Sequence, residues 1–327
     1  MEETVSSAST PVDSQVEVVD SHYHWWLKPH QRYFVDDFER DLASSGHPVV
    51  GGLYVECHSM YRRSGPDALK SVGEAQFYST EMARSGISGG GFKAGFVGAA
   101  DLMLGDDVDS VLDGLAAESQ ERLKGIRGAV YWDADPTLNL GLRPYSPQGL
   151  LLNPTFRRGF KRLADRGLVY DAWQYEPQLP ELCSLADAFP YSRIVVNHCG
   201  GPLGINAYAT SDRFDRWKLH IKQVALRPNT FMKLSGLTAP RIGLPLRVSG
   251  ERPTAAALSQ LWKPYIEVCI EAFGADRCLF GSNFPVDLAV CDYGVLIDAY
   301  KLATRQYTPE DRSAIFSGTA IQVYGLD

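Results

Sequence analysis

The amino-acid sequence predicts an α/β fold, a distorted (β/α)8 TIM barrel, and three observations lead to this prediction. Eight short apolar runs alternate with longer amphipathic stretches along the chain. The runs recur at intervals that leave room for one strand, one helix and their loops. The turn after the first run carries two histidines where a doubly wound open sheet would usually carry a glycine-rich fingerprint. A barrel therefore accounts for the pattern better than an open sheet does.

The eight apolar runs are predicted to be buried strands. Each is short, is rich in β-branched or aromatic residues, and is bounded by glycine, proline, aspartate or asparagine. The predicted strands span residues 17–23, 49–56, 92–98, 126–132, 168–173, 193–198, 230–236 and 277–282.

The stretches between the runs are predicted to be amphipathic helices, and strands that alternate with helices indicate a parallel sheet. Several stretches begin at proline, threonine or aspartate, as at Asn153-Pro154-Thr155. The predicted helices span residues 107–123, 156–163, 179–188, 213–226, 255–273 and 293–303.

The chain is predicted to form one domain, residues 17–327, after a flexible N-terminal segment, residues 1–16, that is rich in Ser, Thr and Glu. The loop after the seventh predicted strand, residues 237–253, is long and contains several prolines and glycines. We interpret this loop either as a lid over a site or as a simple insertion.

The composition indicates a cytoplasmic enzyme that acts on a small molecule. Of the 327 residues, 45% are hydrophobic and 22% are charged, which is typical of a globular protein with a large core. The net charge is −7 and there is no basic stripe, so nucleic-acid binding is not expected. No apolar run approaches a membrane span, and the N-terminus lacks the features of a signal peptide. The six cysteines form no CxxC pair, so we expect reduced thiols, and a homodimer remains open.

Polar side chains stand where the predicted strands end, which is where barrel enzymes place their active sites. His22 and His24 are two residues apart and project to the same face of the first strand, and His198 ends the sixth strand. Such imidazoles hold a divalent metal ion or donate hydrogen bonds to a carbonyl oxygen. We therefore predict a catalytic site around these three histidines, which are also the metal ligands if a metal is bound.

Further ionisable residues end other predicted strands. Glu56 is a candidate metal ligand, base or partner of a histidine, with a salt bridge at the rim as the alternative, and His58 shares its face. Arg127 and Lys233 are candidates to bind a carboxylate, lactone or enolate oxygen. The alternative for both is an internal ion pair with Asp171 or Glu56.

The eighth predicted strand ends at Asn283, whose amide can position water or substrate but cannot act as a general base. Asp287 is the nearest carboxylate. The remaining candidates for substrate binding are aromatic or acidic residues that flank strand ends and could line a pocket. They are Trp26, Asp171, Trp173, Tyr175 and Glu176.

Three blocks of the sequence resemble the amidohydrolase superfamily: DSHYHWW at the first strand, NHCGGP at the sixth and FGSNFPVD at the eighth. They are similar, more narrowly, to its amidohydrolase-2 branch, which includes 2-pyrone-4,6-dicarboxylate lactonase and L-fuconolactonase. The resemblance runs from about Val18 to Tyr324.

The resemblance implies a distorted barrel that hydrolyses lactone esters, in some members with a metal ion and in others without one. It maps His22 and His24 to the histidine pair of strand one, His198 to strand six and Arg127 to strand four. Asn283 falls where most members have the aspartate that activates water and ligates metal, so a standard metal site loses one ligand. We expect a reaction that requires no cofactor, and the alternative is one divalent metal ion, with Zn²⁺ the first choice.

The expected activity is the opening of a lactone of an aromatic-derived, polyketide-like or sugar acid by water. The histidines, Arg127 and Lys233 would stabilise the oxyanion, and Glu56, Glu176 or Asp287 would be the base. Two alternatives remain open: a metal-dependent decarboxylase or C–C bond hydrolase of the same superfamily, and a non-hydrolytic barrel that binds or cyclises its ligand.

Overall fold

The computed structural model describes residues 11–87, 91–139, 145–246 and 250–326. Its centre is a sheet of eight parallel strands that curves into a nearly closed barrel, as predicted. A two-stranded antiparallel hairpin, β2 (Trp26–Lys28) and β3 (Gln31–Tyr33), follows the first strand. The barrel strands are β1 (Val18–Tyr23), β4 (Val49–Val55), β5 (Lys93–Gly98), β6 (Leu123–Ala129), β7 (Val169–Trp173), β8 (Arg193–Val196), β9 (Thr230–Leu234) and β10 (Cys278–Phe280).

The helices among the described residues cover the outside of the barrel, except the last, which lies at its lower end. They are α1 (Val35–Ser45), α2 (Val72–Arg84), α3 (Asp109–Glu118), α4 (Pro154–Asp165), α5 (Leu179–Ala188), α6 (Arg213–Ala225), α7 (Ala255–Phe273), α8 (Tyr293–Ala303), α9 (Pro309–Ser313) and α10 (Thr319–Tyr324). The bounds of α5, α7 and α8 are the predicted ones. The side chain of Asn153 caps α4 by accepting hydrogen bonds from two backbone N–H groups of its first turn.

The predicted helix 107–123 is wrong at its C-terminal end. Helix α3 ends at Glu118, and Gln120 and Glu121 follow with φ of 52° and 60°, a conformation that a helix cannot continue through. Strand β6 then begins at Leu123, three residues before the predicted strand. Lys124 interrupts the apolar run, so the pattern alone did not show where this strand starts.

A ring of valines and leucines fills the lower interior of the barrel. They are Val19, Leu53, Val55, Val97, Val169, Val195 and Leu279. Helix α10 packs against them with Val323 and Tyr324, and so closes the end of the barrel opposite to the strand ends that carry the histidines. The functional site can therefore be open only at the other end, where the strands lead into the loops.

Polar contacts join the first and last strands of the barrel. The buried carboxylate of Asp20 accepts hydrogen bonds from the backbone N–H and hydroxyl of Ser282 and from the hydroxyl of Tyr293, at 2.8, 2.6 and 3.0 Å. The backbone N–H of Asn283 donates to the carbonyl of His22 at 2.7 Å. These bonds fix the loop after β10 against β1, which places Asn283 beside the histidines.

The N-terminal segment and the loop after β9 lie partly outside the described residues, which exclude 1–10 and 247–249. Residues 11–16 are attached to the barrel: the backbone N–H of Val12 donates to Asp298, and Arg312 forms an ion pair with Asp13, both at 2.7 Å. The loop contains a short 3-10 turn, Pro240–Ile242. In the described part of the chain, the structure contains no helix with the length and apolar character that crossing a bilayer requires.

Candidate active site

Three histidines converge at the open end of the barrel. His22 and His24 lie on and just after β1, and His198 follows β8. The ring centroid of His22 is 4.9 Å from that of His24 and 4.6 Å from that of His198. The structure thus brings together the three imidazoles that the sequence pattern singled out. His24 and His198 line a cavity, and His22 is completely buried behind them.

Hydrogen bonds define which ring nitrogens carry hydrogen. Nδ1 of His24 lies 2.6 Å from the carbonyl oxygen of Val55, which can only accept, so Nε2 of His24 keeps its lone pair. A guanidinium can only donate, so Nε2 of His198 accepts from Arg127, at 3.5 Å, and Nδ1 donates to the hydroxyl of Ser235 at 2.9 Å. His24 therefore presents an accepting nitrogen, Nε2, on the cavity side, whereas Nε2 of His198 accepts from Arg127.

The imidazoles are neutral at pH 7. Burial, followed by the charge of Arg127, lowers the pKa of His24 to about 3. Burial and the same guanidinium hold the pKa of His198 well below its ordinary value, and burial also lowers the pKa of His22. Among the described residues, neither ring nitrogen of His22 has a hydrogen-bond partner. A buried ring without a partner is uncommon outside functional sites.

Two arginines bring positive charge to the same cavity. Arg127 leaves β6 and donates to the carbonyl oxygen of Glu56 at 3.0 Å. Arg241 comes from the loop after β9, is buried, and its guanidinium carbon lies 4.5 Å from the ring centroid of Trp173. Burial lowers its pKa to about 10, so it stays charged at neutral pH. In the described ranges Arg241 forms no ion pair. The sequence prediction missed Arg241, which sits in a loop and ends no strand.

The cavity has a volume of about 440 Å³, which suits a small ligand. Its wall combines the two arginines and three histidines, His24, His58 and His198, with Asn283 and three aromatic residues. The aromatic residues are Trp26, Tyr131 and Trp173. The ring of Trp26 stacks near His24, and that of Trp173 meets His198 edge to face at 4.8 Å. Tyr131 and the exposed Lys28 were not predicted as site residues, although both line the cavity. The ammonium of Lys28 lies 3.3 Å from the ring centroid of Trp26.

Backbone strain is concentrated around the cavity. His58, His198 and Asn283 have φ of 62°, 55° and 58°, a region that costs a residue with a side chain about 1–2 kcal/mol. Each of the three follows closely after a barrel strand and lines the cavity. Gly236 allows the turn under His198, because a Cβ atom there would lie 2.6 Å from Nδ1 of His198. Such strain persists where the surrounding structure holds functional side chains in place.

Asn283 and Asp287 form a connected pair at the end of β10. Nδ2 of Asn283 donates to Oδ1 of Asp287 at 2.7 Å. Asn283 lines the cavity, whereas Asp287 lies one side chain behind the wall and is 1% exposed. Burial raises the pKa of Asp287 to about 7, although hydrogen bonds from Thr238 and Asn283 oppose the shift. Asp287 is thus a carboxyl group that exchanges protons near neutral pH.

Glu56 and His58 occupy the turn after β4. The carboxylate of Glu56 is buried and accepts from the backbone N–H of His58 at 3.1 Å. It lies behind the wall, which is formed here by Cys57 and His58. From this position the carboxylate supports the turn through its hydrogen bond to His58. Its negative charge also raises the pKa of His24, an effect smaller than the opposite effect of burial.

Lys233 and Asp171, two predicted substrate-binding residues, lie below the cavity and do not line it. Both side chains are fully buried, and Nζ of Lys233 contacts Oδ1 of Asp171 at 2.7 Å and the carbonyl of Ser21 at 2.8 Å. Asp171 also accepts from Asn197 and from the hydroxyl of Tyr324, each at 2.7 Å. The internal ion pair, which the sequence left as the alternative, is what the structure contains.

Tyr175 and Glu176 also do not line the cavity. The hydroxyl of Tyr175 donates to the carbonyl of Leu138 at 3.0 Å. The carboxylate of Glu176 points to α6, where it lies 2.6 Å from Nδ1 of His220 and 3.4 Å from Arg216. Because the backbone turns into a 3-10 helix at Glu176, this side chain leaves the barrel mouth, so Glu176 is not placed to act as the base.

The charges and the hydrogen bonds at the site bear on whether a metal ion could bind there. Across the described ranges there is no group of three or more His, Cys, Asp or Glu side chains that could hold one. The guanidinium of Arg127 faces Nε2 of His198, and Asn283 offers a neutral amide whose nitrogen is bonded to Asp287. A cation would meet a positive charge and an incomplete set of ligands here.

The chain belongs to the amidohydrolase family, whose model "Amidohydrolase" matches residues 19–326. It is 26% identical to an L-fucono-1,5-lactonase of Burkholderia multivorans, over 94% of this chain and 96% of that protein. It is 28% identical to the protein "Uncharacterized protein y4mH" of Sinorhizobium fredii, over 95% of this chain and 99% of that protein. Membership in this family makes the chain a hydrolase, and ester bonds are the substrates of the lactonase relatives.

Solved structures share the fold. An amidohydrolase of Burkholderia multivorans with bound HEPES has a TM-score of 0.70 at 22% identity, covering 95% of this chain and 99% of that one. In another crystal form with bound zinc, the TM-score is 0.69 at 23% identity, with the same coverage. A 5-carboxyvanillate decarboxylase of Sphingomonas paucimobilis has a TM-score of 0.55 at 12% identity, covering 95% of this chain and 100% of that one. At these identities the likeness shows the fold alone.

Proposed function

We propose that the protein opens a lactone by hydrolysis of its ester bond. The observation that carries the proposal is that neutral imidazoles and two arginines meet in one small cavity at the open end of the barrel. Attack on a lactone carbonyl develops negative charge on oxygen, and fixed cations in a water-poor cavity stabilise such charge strongly. The lactonase relatives support the same bond type.

Each wall residue takes one part of the reaction. Arg127 and Arg241 bind the carbonyl oxygen as its charge develops. His24 accepts a hydrogen bond from the attacking water through Nε2 and so orients the water toward the carbonyl carbon. His198, whose Nε2 accepts from Arg127, holds that guanidinium in place. The stacked aromatic residues hold the plane of the lactone ring.

We assign Asp287, which lies one side chain behind the wall, as the group that takes the proton from the attacking water through one bridging water molecule and returns it to the ring oxygen as the ester bond breaks. A general base works best when its pKa lies near the working pH, and burial raises the pKa of Asp287 to about 7. Asn283, on the cavity wall, is hydrogen-bonded to it and fixes its direction. The wall histidines are poor acceptors for this proton, because burial and the charge of Arg127 lower the pKa of His24 to about 3 and hold that of His198 well below its ordinary value.

We propose that the reaction uses no metal ion. The charge of Arg127 beside His198 supports this, as does the lack, among the described residues, of a group of three or more side chains arranged to hold one. The zinc in the solved Burkholderia protein is the reason to test this directly. No observation on this chain favours decarboxylation or C–C bond hydrolysis, so neither is proposed.

A panel of sugar lactones, aromatic lactones and carboxylated pyrones tests the function, with acid release followed by a pH indicator. We expect turnover of at least one class, with His24→Asn reducing kcat/KM about 100-fold or more. The matched control is His30→Asn, because His30 is an exposed histidine of the hairpin and its loss should leave kcat/KM unchanged. A parent enzyme that opens no lactone above the uncatalysed rate would overturn the proposal.

A further inference from the structure

A second cavity, of about 460 Å³, adjoins the catalytic one. The two share three wall residues, His58, Arg127 and Ala129. The second cavity lies at the ends of β4, β5 and β6, on the side of Arg127 away from the histidines of β1 and β8. It contains none of the residues assigned to the reaction except Arg127.

Small side chains create this space. Strand β5 runs into Gly98-Ala99-Ala100, and β6 ends in Gly128-Ala129. The other barrel strands that face the catalytic cavity end in large polar or aromatic residues. Ala129 stands on the boundary between the cavities, where its methyl group is the smallest of the three shared side chains.

The far wall of the second cavity is apolar and firmly packed. It consists of Leu102, Leu104, Leu150 and Phe156 together with alanines. The segment that carries Leu102 lies directly on α4, since a Cβ atom on Gly159 would be 2.3 Å from the carbonyl oxygen of Leu102. A cavity with such a wall is preformed and does not depend on a ligand to open it.

The charges around the second cavity exclude an anionic occupant. Its two carboxylates, Asp67 and Asp101, already have partners: Lys70 at 2.5 Å, and the backbone N–H of Met103 at 2.9 Å. Arg127 is its one cation among the described residues, and that side chain is shared with the catalytic cavity. The unshared part of the wall offers only apolar surface, hydroxyls and negative charge.

We propose that the second cavity binds an uncharged apolar arm, alkyl or aryl, of a lactone whose ring occupies the catalytic cavity. This inference rests on the proposed function and names its substrate class: lactones that carry an apolar substituent several carbons long. Burial of one methylene group changes kcat/KM about fourfold, so a four-carbon arm is expected to raise kcat/KM well over tenfold.

The test compares δ-lactones that differ only in carrying hydrogen or a butyl group on the carbon next to the ring oxygen. For the parent, kcat/KM is expected to be at least about tenfold higher for the butyl lactone. Ala100→Phe, which fills only the second cavity, should reduce this ratio at least about tenfold. The matched control is Ala239→Phe, which lines only the catalytic cavity and should lower both values together.

A ratio near one in the parent, or a ratio that Ala100→Phe leaves unchanged, overturns the inference. If Ala100→Phe melts far below the parent, Ala100→Leu takes its place, and calorimetric titration of the parent with the two ring-opened hydroxy acids must show tighter binding of the butyl one. A parent that opens neither lactone, nor any other in the panel, refutes the proposed function itself. A parent that opens both lactones equally refutes only the second cavity's role.

Discussion

Two clusters of charged side chains lie one above the other inside the barrel, and their partners differ. In the lower cluster, Lys233 and Asp171 neutralise each other, and Asn197, Tyr324 and a backbone carbonyl complete their hydrogen bonds. In the upper cluster, two arginines share a cavity with neutral imidazoles, and Arg241 interacts electrostatically with Asp287, whose pKa burial raises to about 7.

The difference indicates that the charges of the lower cluster stabilise the fold, whereas those of the upper cluster are placed to bind a ligand. A buried ion pair with all its hydrogen bonds made is stable without any further partner. Charged side chains on the wall of a cavity can meet the opposite charge of a ligand, and such groups are typical of functional sites. The following variants break one cluster at a time.

The largest effect on stability is expected from Lys233→Met, which leaves Asp171 as a buried charge without its cation. The loss is about 3–5 kcal/mol of unfolding free energy, measured by urea denaturation. The double variant Lys233→Met/Asp171→Leu removes both charges and should recover most of the loss. If the single variant lost less than about 1 kcal/mol, the lower cluster would not be structural in this sense.

Asp287→Asn is expected to stabilise the protein, and only at the higher pH values. Burial raises the pKa of Asp287 from 3.8 to about 7, so between these values the folded state keeps a proton that the unfolded chain has released. The unfolding free energy of the parent therefore falls as pH rises through this window, by up to about 4 kcal/mol.

The variant has no carboxyl at this position, so its unfolding free energy lacks this dependence on pH. The variant should equal the parent below pH 4, exceed it by an amount that grows up to pH 7, and keep that difference at higher pH. Glu74, whose pKa burial also raises to about 7, contributes to both proteins and cancels in the difference. Melting curves from pH 4 to pH 8 measure it, and an advantage that does not change with pH would contradict the assignment. The variant should also have a lower kcat, because the proton acceptor is gone.

Arg241→Met is the counterpart of Lys233→Met in the upper cluster. Loss of a charge-assisted contact to the developing oxyanion removes about 1.5–3 kcal/mol, which is roughly a 10- to 150-fold fall in kcat/KM. Its unfolding free energy should equal or exceed that of the parent, since no ion pair is broken. A variant with a normal kcat/KM but reduced stability would reverse the roles of the two clusters.

The smallest effect is expected from Asn283→Asp, which places a second carboxyl 2.7 Å from Asp287. Two buried carboxyls at this distance share one proton easily but do not both ionise. The variant should lose about 1–2 kcal/mol relative to the parent at pH 8 and much less at pH 5. Thermal melts at the two pH values check this, and a variant that is more stable at pH 8 would exclude the expected repulsion.

The comparison also explains what the sequence could predict. Strand alternation placed His22 and His24 on one face, and it placed Lys233 and Asp171 inside the barrel as well. Alternation does not indicate, however, how far along the barrel axis a side chain lies. Two side chains on the same face of a strand, two residues apart, are separated by about 7 Å along it. Asp171 therefore lies below the cavity, whereas Trp173, two residues later, is on its wall.

Residues beyond the strands were harder to place. Arg241 reaches the cavity from a loop with no periodic pattern, and Glu176 is turned outward by a 3-10 helix that a list of strand ends does not show. The second cavity escaped prediction for a different reason. The space is created by the small residues after β5. Alanine and glycine carry no functional group, so their positions in the sequence do not indicate a site.

In the proposed reaction, neutral imidazoles and arginines open the lactone without a metal ion. The most direct measurement is zinc titration by calorimetry on chelator-treated protein, with turnover of the best lactone followed in the same sample. We predict that the treated protein keeps its kcat/KM and binds no stoichiometric zinc. One zinc ion bound per chain, with lost activity restored in proportion to it, would contradict the account.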